Sequence, residues 1–303
     1  MTEASVRLAS GLDIAYETFG DAGAEPLLLV MGLGGPMNWW HRDLCTALAG
    51  HGFFVIRYDN RDIGRSSRVV DSDRLSRRRL LRAYLGDRRS APYQLSDMAD
   101  DAFGLLDALG IASAHVTGVS MGGMIAQTMA LAEPGRVRSL VSIMSTTGSR
   151  RVGWASPRLL RLLLAPPART REEYIRRAPA AWAVIGSPGY PQSEDEVRER
   201  AAETWERGPD RAGATRQMLA VVTQPDRTYA LRRLRMPVCV VHGLEDRLVH
   251  PSGGRATARA VPGAELVLVP GMAHDLPRSL WPVFVEAIVR TAARTRSGSR
   301  STS

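Results

Sequence analysis

The sequence predicts an α/β fold whose mostly parallel sheet is flanked by helices, and three observations support this prediction. Short apolar runs alternate with longer segments of helical periodicity, as they do when helices connect neighbouring parallel strands. The runs at 27–30 and 238–241 are apolar at every position, which is typical of strands buried on both faces. The region 148–235 has no strong strand run and interrupts the alternation, so it is predicted to be a separate helical unit.

The individual elements follow in order from the local patterns. An opening hairpin is predicted at 5–10 and 12–19, with Gly11 in its turn. The remaining elements alternate along the chain: strands at 27–30, 53–58, 114–117, 137–143, 238–241 and 266–269, and helices at 38–49, 95–109, directly after Ser120, and at 279–293.

The strand-poor region 148–235 divides the chain into a core and an insertion. It is rich in Arg, Ala and Pro, and its prolines are predicted to separate several short helices. Because it lies between two strands of the sheet, we expect an inserted helical lid on a core made of residues 1–147 and 236–294. The tail at 295–303 contains only Arg, Ser, Thr and Gly and is predicted to be disordered.

The composition does not favour a protein that binds nucleic acid. The formal net charge is +9, and each of the 40 basic residues is an arginine. A basic surface attracts anionic partners in general. The arginines are scattered, however, and no basic strip contains interleaved aromatic residues on which bases would stack. Nucleic-acid binding is therefore not expected, and the sequence is compatible with both a monomer and a homodimer.

The cysteines and the N-terminal residues favour a cytoplasmic location. Cys45 and Cys239 lie in apolar runs and are expected to be buried thiols in a reducing compartment. The first residues lack the basic and apolar regions of a signal peptide. No apolar run approaches the length of a membrane span, so no membrane association is expected. No ligand cluster or phosphate-binding loop indicates a metal or an organic cofactor.

The functional prediction depends on the motif Gly-Val-Ser-Met-Gly at 118–122, which lies between a strand-like run and a helix-like run. A serine at such a sharp turn is held in a strained backbone conformation, and glycines two residues away on either side allow the chain to fold back. The hydroxyl would then project above the sheet, beside a helix N-terminus. Ser120 is therefore the predicted nucleophile.

A serine nucleophile needs a base, and the base needs an orienting acid. His274 is the predicted base because its loop follows the last strand, and open α/β sheets place their sites at the carboxyl ends of strands. The strand ending at residue 143 is followed by no carboxylate, whereas the strand at 238–241 is followed by Glu245 and Asp246. We select Asp246 as the acid and expect Glu245 to be a solvated turn residue.

Two backbone N–H groups are predicted to bind the developing oxyanion. One belongs to Met121, which follows the nucleophile, and the other to Leu33, in the glycine-rich loop after the strand at 27–30. The substrate pocket above them is expected to be mainly apolar. The residues expected to line it are Trp154, Trp182 and Trp205 of the lid and Met124 and Met272 of the core, with packing inside the lid as the alternative role for the tryptophans.

These motifs resemble the α/β-hydrolase superfamily across essentially the whole chain. Residues 30–35 resemble the family's oxyanion loop, with Met31 where histidine is more usual. Residues 57–66 resemble its Asp-x-Arg-Gly-x-Gly-x-Ser segment, with Asp62 in place of the first glycine. Both departures are similar to a serine esterase subgroup that includes aclacinomycin methylesterase and related actinobacterial hydrolases.

The order serine, aspartate, histidine along the chain also matches this family and differs from the chymotrypsin and subtilisin orders. The segments at 242–246 and 270–274 match the family's acid and base segments. A serine at the nucleophile position argues against haloalkane dehalogenases and epoxide hydrolases, which the resemblance associates with an aspartate there.

The combined expectation is a serine hydrolase that cleaves a carboxylic ester of a small, largely apolar molecule through an acyl-enzyme. A methyl ester of a polyketide-like molecule is compatible with the resemblance. A thioesterase, a lactonase, an aminopeptidase and a cofactor-free haloperoxidase are alternatives on the same triad, because the lid sets the substrate. A non-hydrolytic, ligand-binding member of the family is the alternative from another class.

Overall fold

The computed structural model describes residues 3–70, 76–156 and 168–298, and an eight-stranded sheet forms the centre of its core. The strand order across the sheet is β1-β2-β4-β3-β5-β6-β7-β8. The strands are β1 (Ala4–Arg7), β2 (Asp13–Phe19), β3 (Glu25–Val30), β4 (Phe53–Tyr58), β5 (Ala114–Val119), β6 (Val137–Ile143), β7 (Val238–Gly243) and β8 (Glu265–Val269).

Only β2 runs against its neighbours among these eight strands, since it pairs antiparallel with both β1 and β4. All the other neighbouring pairs are parallel. The predicted opening hairpin is therefore present, and Gly11 lies in its connection with a φ of +83°. The six parallel strands end at one edge of the sheet, so the loops that follow them meet there.

Helices cover both faces of the sheet, as the α/β prediction requires. In chain order they are α1 (Arg42–Gly50), α2 (Arg77–Tyr84), α3 (Leu95–Ala108), α4 (Met121–Ala132), α5 (Arg171–Ile185), α6 (Glu194–Glu206), α7 (Arg211–Val222), α8 (Thr228–Leu231), α9 (Ser252–Ala260) and α10 (Trp281–Gly298). Helix α2 coincides with an arginine-rich stretch for which the sequence patterns predicted no element.

The two faces of the sheet belong to two separate hydrophobic clusters. In β3, Leu28 and Val30 join the cluster that also contains residues of α3 and α4. Leu27 and Leu29 join the other cluster, which includes Leu44 of α1 and residues of α10. This division follows from the alternation of side chains along a strand, and it explains why every position of the 27–30 run is apolar.

The described part of the predicted lid consists of helices and the connections between them. Hydroxyl or carboxylate side chains accept backbone N–H groups at the starts of α5, α6 and α7, and these caps come from Thr170, Ser193 and Asp210. The expectation that prolines separate the lid helices is wrong for Pro179, which lies inside α5. Proline has no backbone N–H, so α5 lacks one helical hydrogen bond at this position. The helix nevertheless continues to Ile185.

The C-terminal boundary also differs from the prediction. Helix α10 extends to Gly298, so disorder from residue 295 is wrong for the first residues of the tail, and 299–303 lie outside the described residues. Arg294 ties this last part of the helix to the sheet, because its guanidinium donates to Glu265 of β8 and to the Gly263 carbonyl. No helix in the described ranges is long and apolar enough to cross a membrane.

Candidate active site

Ser120 occupies the turn between β5 and α4 with a φ of 56° and a ψ of −119°. Non-glycine residues seldom adopt positive φ, so the surrounding structure must hold this conformation. The flanking glycines allow the turn to close. A Cβ on Gly118 would overlap the Gly122 carbonyl, and a Cβ on Gly122 would overlap the Val30 carbonyl of β3. The chain can fold back here only with glycine at both positions.

The structure brings together the three residues that were selected as nucleophile, base and acid. The Ser120 Oγ lies 3.0 Å from the His274 Nε2, and the His274 Nδ1 lies 2.7 Å from the Asp246 Oδ2. Asp246 follows β7 and His274 follows β8, so both loops lie at the same sheet edge as the serine turn. With the Nδ1 proton directed to the carboxylate, the Nε2 lone pair faces the hydroxyl.

Asp246 is only 2% exposed and is fully engaged by hydrogen bonds. Its Oδ1 accepts the backbone N–H groups of Leu248 and Val249, each at 2.9 Å. Burial acts to raise the pKa of this carboxyl, but the attraction of His274 and hydrogen bonds from His242 and His274 outweigh it and hold the pKa well below its usual range. The neighbouring Glu245 side chain is exposed.

The two backbone groups selected for the oxyanion belong to the residue after the serine and to the loop after β3. Met121 is the first residue of α4, so its N–H has no partner within the helix. The loop that contains Leu33 approaches from the end of β3, and a Cβ on Gly32 would stand 3.1 Å from the Ser120 Cβ. Among the residues that the structure describes, no acceptor pairs with the Leu33 N–H.

The lid holds this loop in place through Gln217 of α7, a residue that sequence analysis did not select. Its side chain is completely buried, accepts the Gly34 N–H at 2.8 Å and donates to the Arg61 carbonyl at 2.9 Å. A lone glutamine in a polar helix has no pattern that would have indicated this role. The contact spans 183 positions of the chain.

Asp62, the departure from the family's glycine, sits at a φ of 74° and is completely buried. Positive φ explains the usual glycine, and aspartate is among the side chains that tolerate this region best. Its carboxylate accepts from the Tyr93 hydroxyl at 2.6 Å, from the Val69 N–H at 2.7 Å and from both ends of the Arg216 guanidinium fork. Because Arg216 belongs to α7, its ion pair with Asp62 anchors the lid to the core.

The lid also contacts the loop that carries His274. The Ser187 Oγ accepts the Ala273 N–H at 2.8 Å and donates to the buried carboxylate of Asp275, while the His274 N–H donates to the Ile185 carbonyl at 2.9 Å. Gln192 donates to the other oxygen of Asp275 at 2.8 Å. Asp275 is adjacent to the selected base, but nothing in its sequence surroundings indicated partners in the lid.

The three lid tryptophans occupy different environments. Trp182 packs edge-on against Trp39 at 5.4 Å between ring centroids, and the Arg200 guanidinium lies over its ring. Trp205 contacts Tyr174 within the lid. This contact corresponds to the alternative role for the tryptophans, packing inside the lid. Trp154 is 53% exposed and stacks on the His250 ring at 4.5 Å. Trp182 is thus the one of the three whose ring contacts both the core, through Trp39, and the lid, through Arg200.

The two methionines expected in the pocket wall are both buried. Met124, in the first turn of α4, retains 4% exposure, and its sulfur accepts from the Gln224 amide at 3.2 Å. Met272 is 0% exposed and belongs to the core cluster that includes Met31 and Phe284. The expectation that Met272 lines the pocket is wrong, because a side chain without accessible surface cannot contact a ligand there.

Cys45 and Cys239 are both buried free thiols. Burial raises the pKa of Cys45 to about 12 and that of Cys239 to about 11, so neither is a reactive thiolate near neutral pH. Within residues 3–70, 76–156 and 168–298, no cluster of three or more His, Cys, Asp or Glu side chains could hold a metal ion.

The chain is similar to known proteins over most of its length. The family model of the α/β-hydrolase fold matches residues 25–277. Rhodomycin D methylesterase DauP of Streptomyces sp. (strain C5) is 31% identical, over 93% of this chain and 94% of that protein. Rhodomycin D methylesterase DnrP of Streptomyces peucetius is 30% identical over the same shares.

The solved structures add evidence on the fold alone. The crystal structure of a hydrolase from Pseudomonas aeruginosa PA01 is similar with a TM-score of 0.73 at 24% identity, covering 95% of this chain and 97% of that one. Together with the family match, this confirms the resemblance inferred from the motifs. The chain belongs to the α/β-hydrolase family, and two of its relatives, at 31% and 30% identity, are named as rhodomycin D methylesterases.

Proposed function

We propose that this protein is a serine hydrolase that cleaves a carboxylic ester of a small, largely apolar molecule. The observation that carries the proposal is the continuous hydrogen-bond chain from the Ser120 Oγ through the His274 imidazole to the Asp246 carboxylate, at 3.0 and 2.7 Å. A serine hydroxyl is a weak nucleophile on its own, and this arrangement supplies the base and the orienting acid that it needs.

In the proposed reaction the Ser120 Oγ attacks the ester carbonyl while the His274 Nε2 takes its proton. The Leu33 and Met121 N–H groups bind the oxyanion, a contribution of roughly 3 kcal/mol per donor. His274 then returns the proton to the leaving alcohol, and the acyl group stays on Ser120. Water, deprotonated by His274, releases the acid in a second round. Asp246 holds the imidazole tautomer and stabilises its charged form throughout.

For the substrate, we propose a methyl ester of a polyketide-like molecule. Two relatives with nearly full-length coverage are named as rhodomycin D methylesterases, which supports an ester of this class. The Trp39–Trp182 pair, placed between the oxyanion loop and the lid, supports an aromatic or otherwise apolar acyl part.

The test combines active-site labelling with a substrate series. A fluorophosphonate probe should label the wild-type protein and leave Ser120→Ala unlabelled. Labelling of both proteins alike, or of neither, would contradict the nucleophile assignment. Aromatic methyl esters should then be hydrolysed with a higher kcat/KM than p-nitrophenyl alkanoates, thioesters or lactones. A preference for thioesters or lactones would keep the mechanism and overturn the substrate class.

A further inference from the structure

A second histidine faces the acid of the proposed triad. His242 is the penultimate residue of β7 and is completely buried. Its Nε2 lies 2.8 Å from the Val249 carbonyl oxygen and 3.4 Å from the Asp246 Oδ2. Asp246 is therefore flanked by two imidazoles, of which the proposed mechanism uses only that of His274.

The surroundings of His242 determine which of its ring nitrogens donates a hydrogen bond. Both nearby acceptors face the Nε2, so this nitrogen carries the proton. The Nδ1 has no hydrogen-bond partner among the described residues and no accessible surface. The first turn of α9 is packed against the ring, and a Cβ on Gly254 would overlap it. The Nε2–H is thus the one N–H of this ring for which the structure provides acceptors.

The hydrogen bonds of His242 close a ring around the acid. Val249 donates its N–H to the Asp246 Oδ1 at 2.9 Å, and its carbonyl accepts from the His242 Nε2 at 2.8 Å. The same Nε2 stands beside the other carboxylate oxygen. His242 therefore fixes the 246–249 turn whose N–H groups orient the carboxylate. The other titratable groups nearby are directed elsewhere: Glu245, Arg247 and His250 are exposed, and Asp275 binds Ser187 and Gln192.

We propose that His242 is a positioning residue for Asp246: its Nε2–H holds the 246–249 turn, so that the Asp246 Oδ2 faces the His274 Nδ1. The inference rests on the proposed function, because it assigns His242 a role within that triad. It predicts that His242 acts on turnover through Asp246 and does not contribute to substrate binding.

The experiment compares two amides at position 242. The side chain in His242→Gln places its amide nitrogen near the former Nε2, whereas the side chain in His242→Asn is too short to reach Val249. We expect His242→Asn to lower kcat by about tenfold or more with KM within about twofold, as for a lost hydrogen bond to a charged group. His242→Gln should recover kcat to within about threefold of wild type. His51→Gln, at an exposed histidine, is the matched control.

A double-mutant cycle separates positioning from general structural damage. In an Asp246→Asn background, His242→Asn should cause no further loss of kcat, because the group through which it acts is gone. Equal losses in both backgrounds would overturn the proposal, as would wild-type kcat in His242→Asn. Thermal unfolding identifies a variant that fails to fold, in which case the Gln variant carries the test: a loss in folded His242→Gln as large as that in Asp246→Asn would also overturn the proposal.

Fluorophosphonate labelling keeps the two proposals distinguishable. If the wild-type protein is not labelled at Ser120, the proposed function fails before position 242 is tested. If wild-type protein is labelled and His242→Asn turns over like wild type, only the positioning role fails.

Discussion

At the scale of single residues, burial separates two acids that the sequence left side by side. Asp246 lies inside a turn that directs two N–H groups at one oxygen and an imidazole at the other. Glu245 is exposed, and its backbone N–H donates to the Met272 carbonyl. Residue type and position after β7 restrict the choice of the orienting acid to these two residues. The hydrogen bonds that favour one of them exist only in the folded turn.

This difference predicts unequal effects on catalysis. Asp246→Asn should lower kcat for a p-nitrophenyl ester by roughly 10⁴-fold, because an amide favours the wrong imidazole tautomer. Glu245→Gln is the matched control and should stay within about twofold of wild type, since an exposed carboxylate contributes little. Steady-state kinetics of both variants is the measurement. A larger loss in Glu245→Gln would show that the acid was chosen wrongly.

The lowered pKa of Asp246 also predicts a pH dependence of stability. A carboxyl whose pKa is depressed by folding stabilises the protein fully above its unfolded pKa, near 3.9, and this contribution disappears as the pH falls toward the folded pKa. The difference in free energy of unfolding between wild type and Asp246→Asn should therefore shrink as the pH falls from about 5 to about 2. Urea titrations across this range measure it. A constant difference would contradict the prediction.

At the scale of elements, the tight turn from β5 to α4 can form because the backbones of β3, β5 and α4 contact each other there without side chains between them. Gly122 allows the first turn of α4 to lie against the end of β3, where the Val30 carbonyl would meet any Cβ. Ser120 then keeps its positive φ, because neighbouring backbone bonds hold it: its N–H donates to the Ile143 carbonyl, and its own carbonyl accepts from the Ser145 hydroxyl.

A methyl group at Gly122 should disturb this packing. Gly122→Ala is expected to lower the free energy of unfolding by about 1–3 kcal/mol, as other overpacked sites do, and to slow labelling by a fluorophosphonate. Gly50→Ala, at the exposed end of α1 with open space around the added atom, should change stability by no more than about 0.5 kcal/mol. Chemical denaturation compares the two. Equal losses of stability in the two variants would show that the close contact with Val30 does not exclude a side chain at position 122.

Elements with a strong local pattern were predictable, and those without one were not. The apolar runs of the parallel strands and the periodicity of α3 match the observed elements closely, because both reflect burial against the same core. The arginines and leucines of helix α2 do not form a buried apolar face, so they give no periodic signal. The helix begins after Ser76, whose side chain caps its first turn. Pro179 shows the converse: a helix breaker is accepted where capping and packing hold the rest of α5.

At the scale of the whole molecule, charged and polar groups fasten the lid to the core. Arg216 of α7 meets the buried Asp62, and Arg207, just after α6, meets the buried Asp59. Gly213 is packed so closely on Asp62 that a Cβ would overlap its carbonyl. Gln217 extends the same contact to the oxyanion loop. Through these contacts, a movement of the lid would also move the loop that carries Leu33.

Removing one partner of the Asp62–Arg216 pair should be costly. Arg216→Met leaves a buried carboxylate without its counter-charge and should lower the free energy of unfolding by about 3 kcal/mol. The double variant Asp62→Gly, Arg216→Met should lie closer to wild type, because glycine accepts the positive φ and no buried charge remains. Arg290→Met, at an exposed ion pair, is the control. Equal losses in Arg216→Met and Arg290→Met would contradict this account.

Taken by itself, the sequence was enough to determine the fold class, the strand order along the chain and the family, because these depend on local patterns of burial and on glycines that no other residue can replace. It also pointed to Ser120 and His274, since each follows a strand at the edge where parallel strands end. Only the tertiary structure decided which acid is engaged, that Asp62 is a lid anchor and that His242 stands beside Asp246. The contacts of Asp246 with His274 and of Asp62 with Arg216 join residues far apart in the chain, and the approach of His242 to Asp246 depends on how the turn after β7 folds, so no local sequence pattern encodes them.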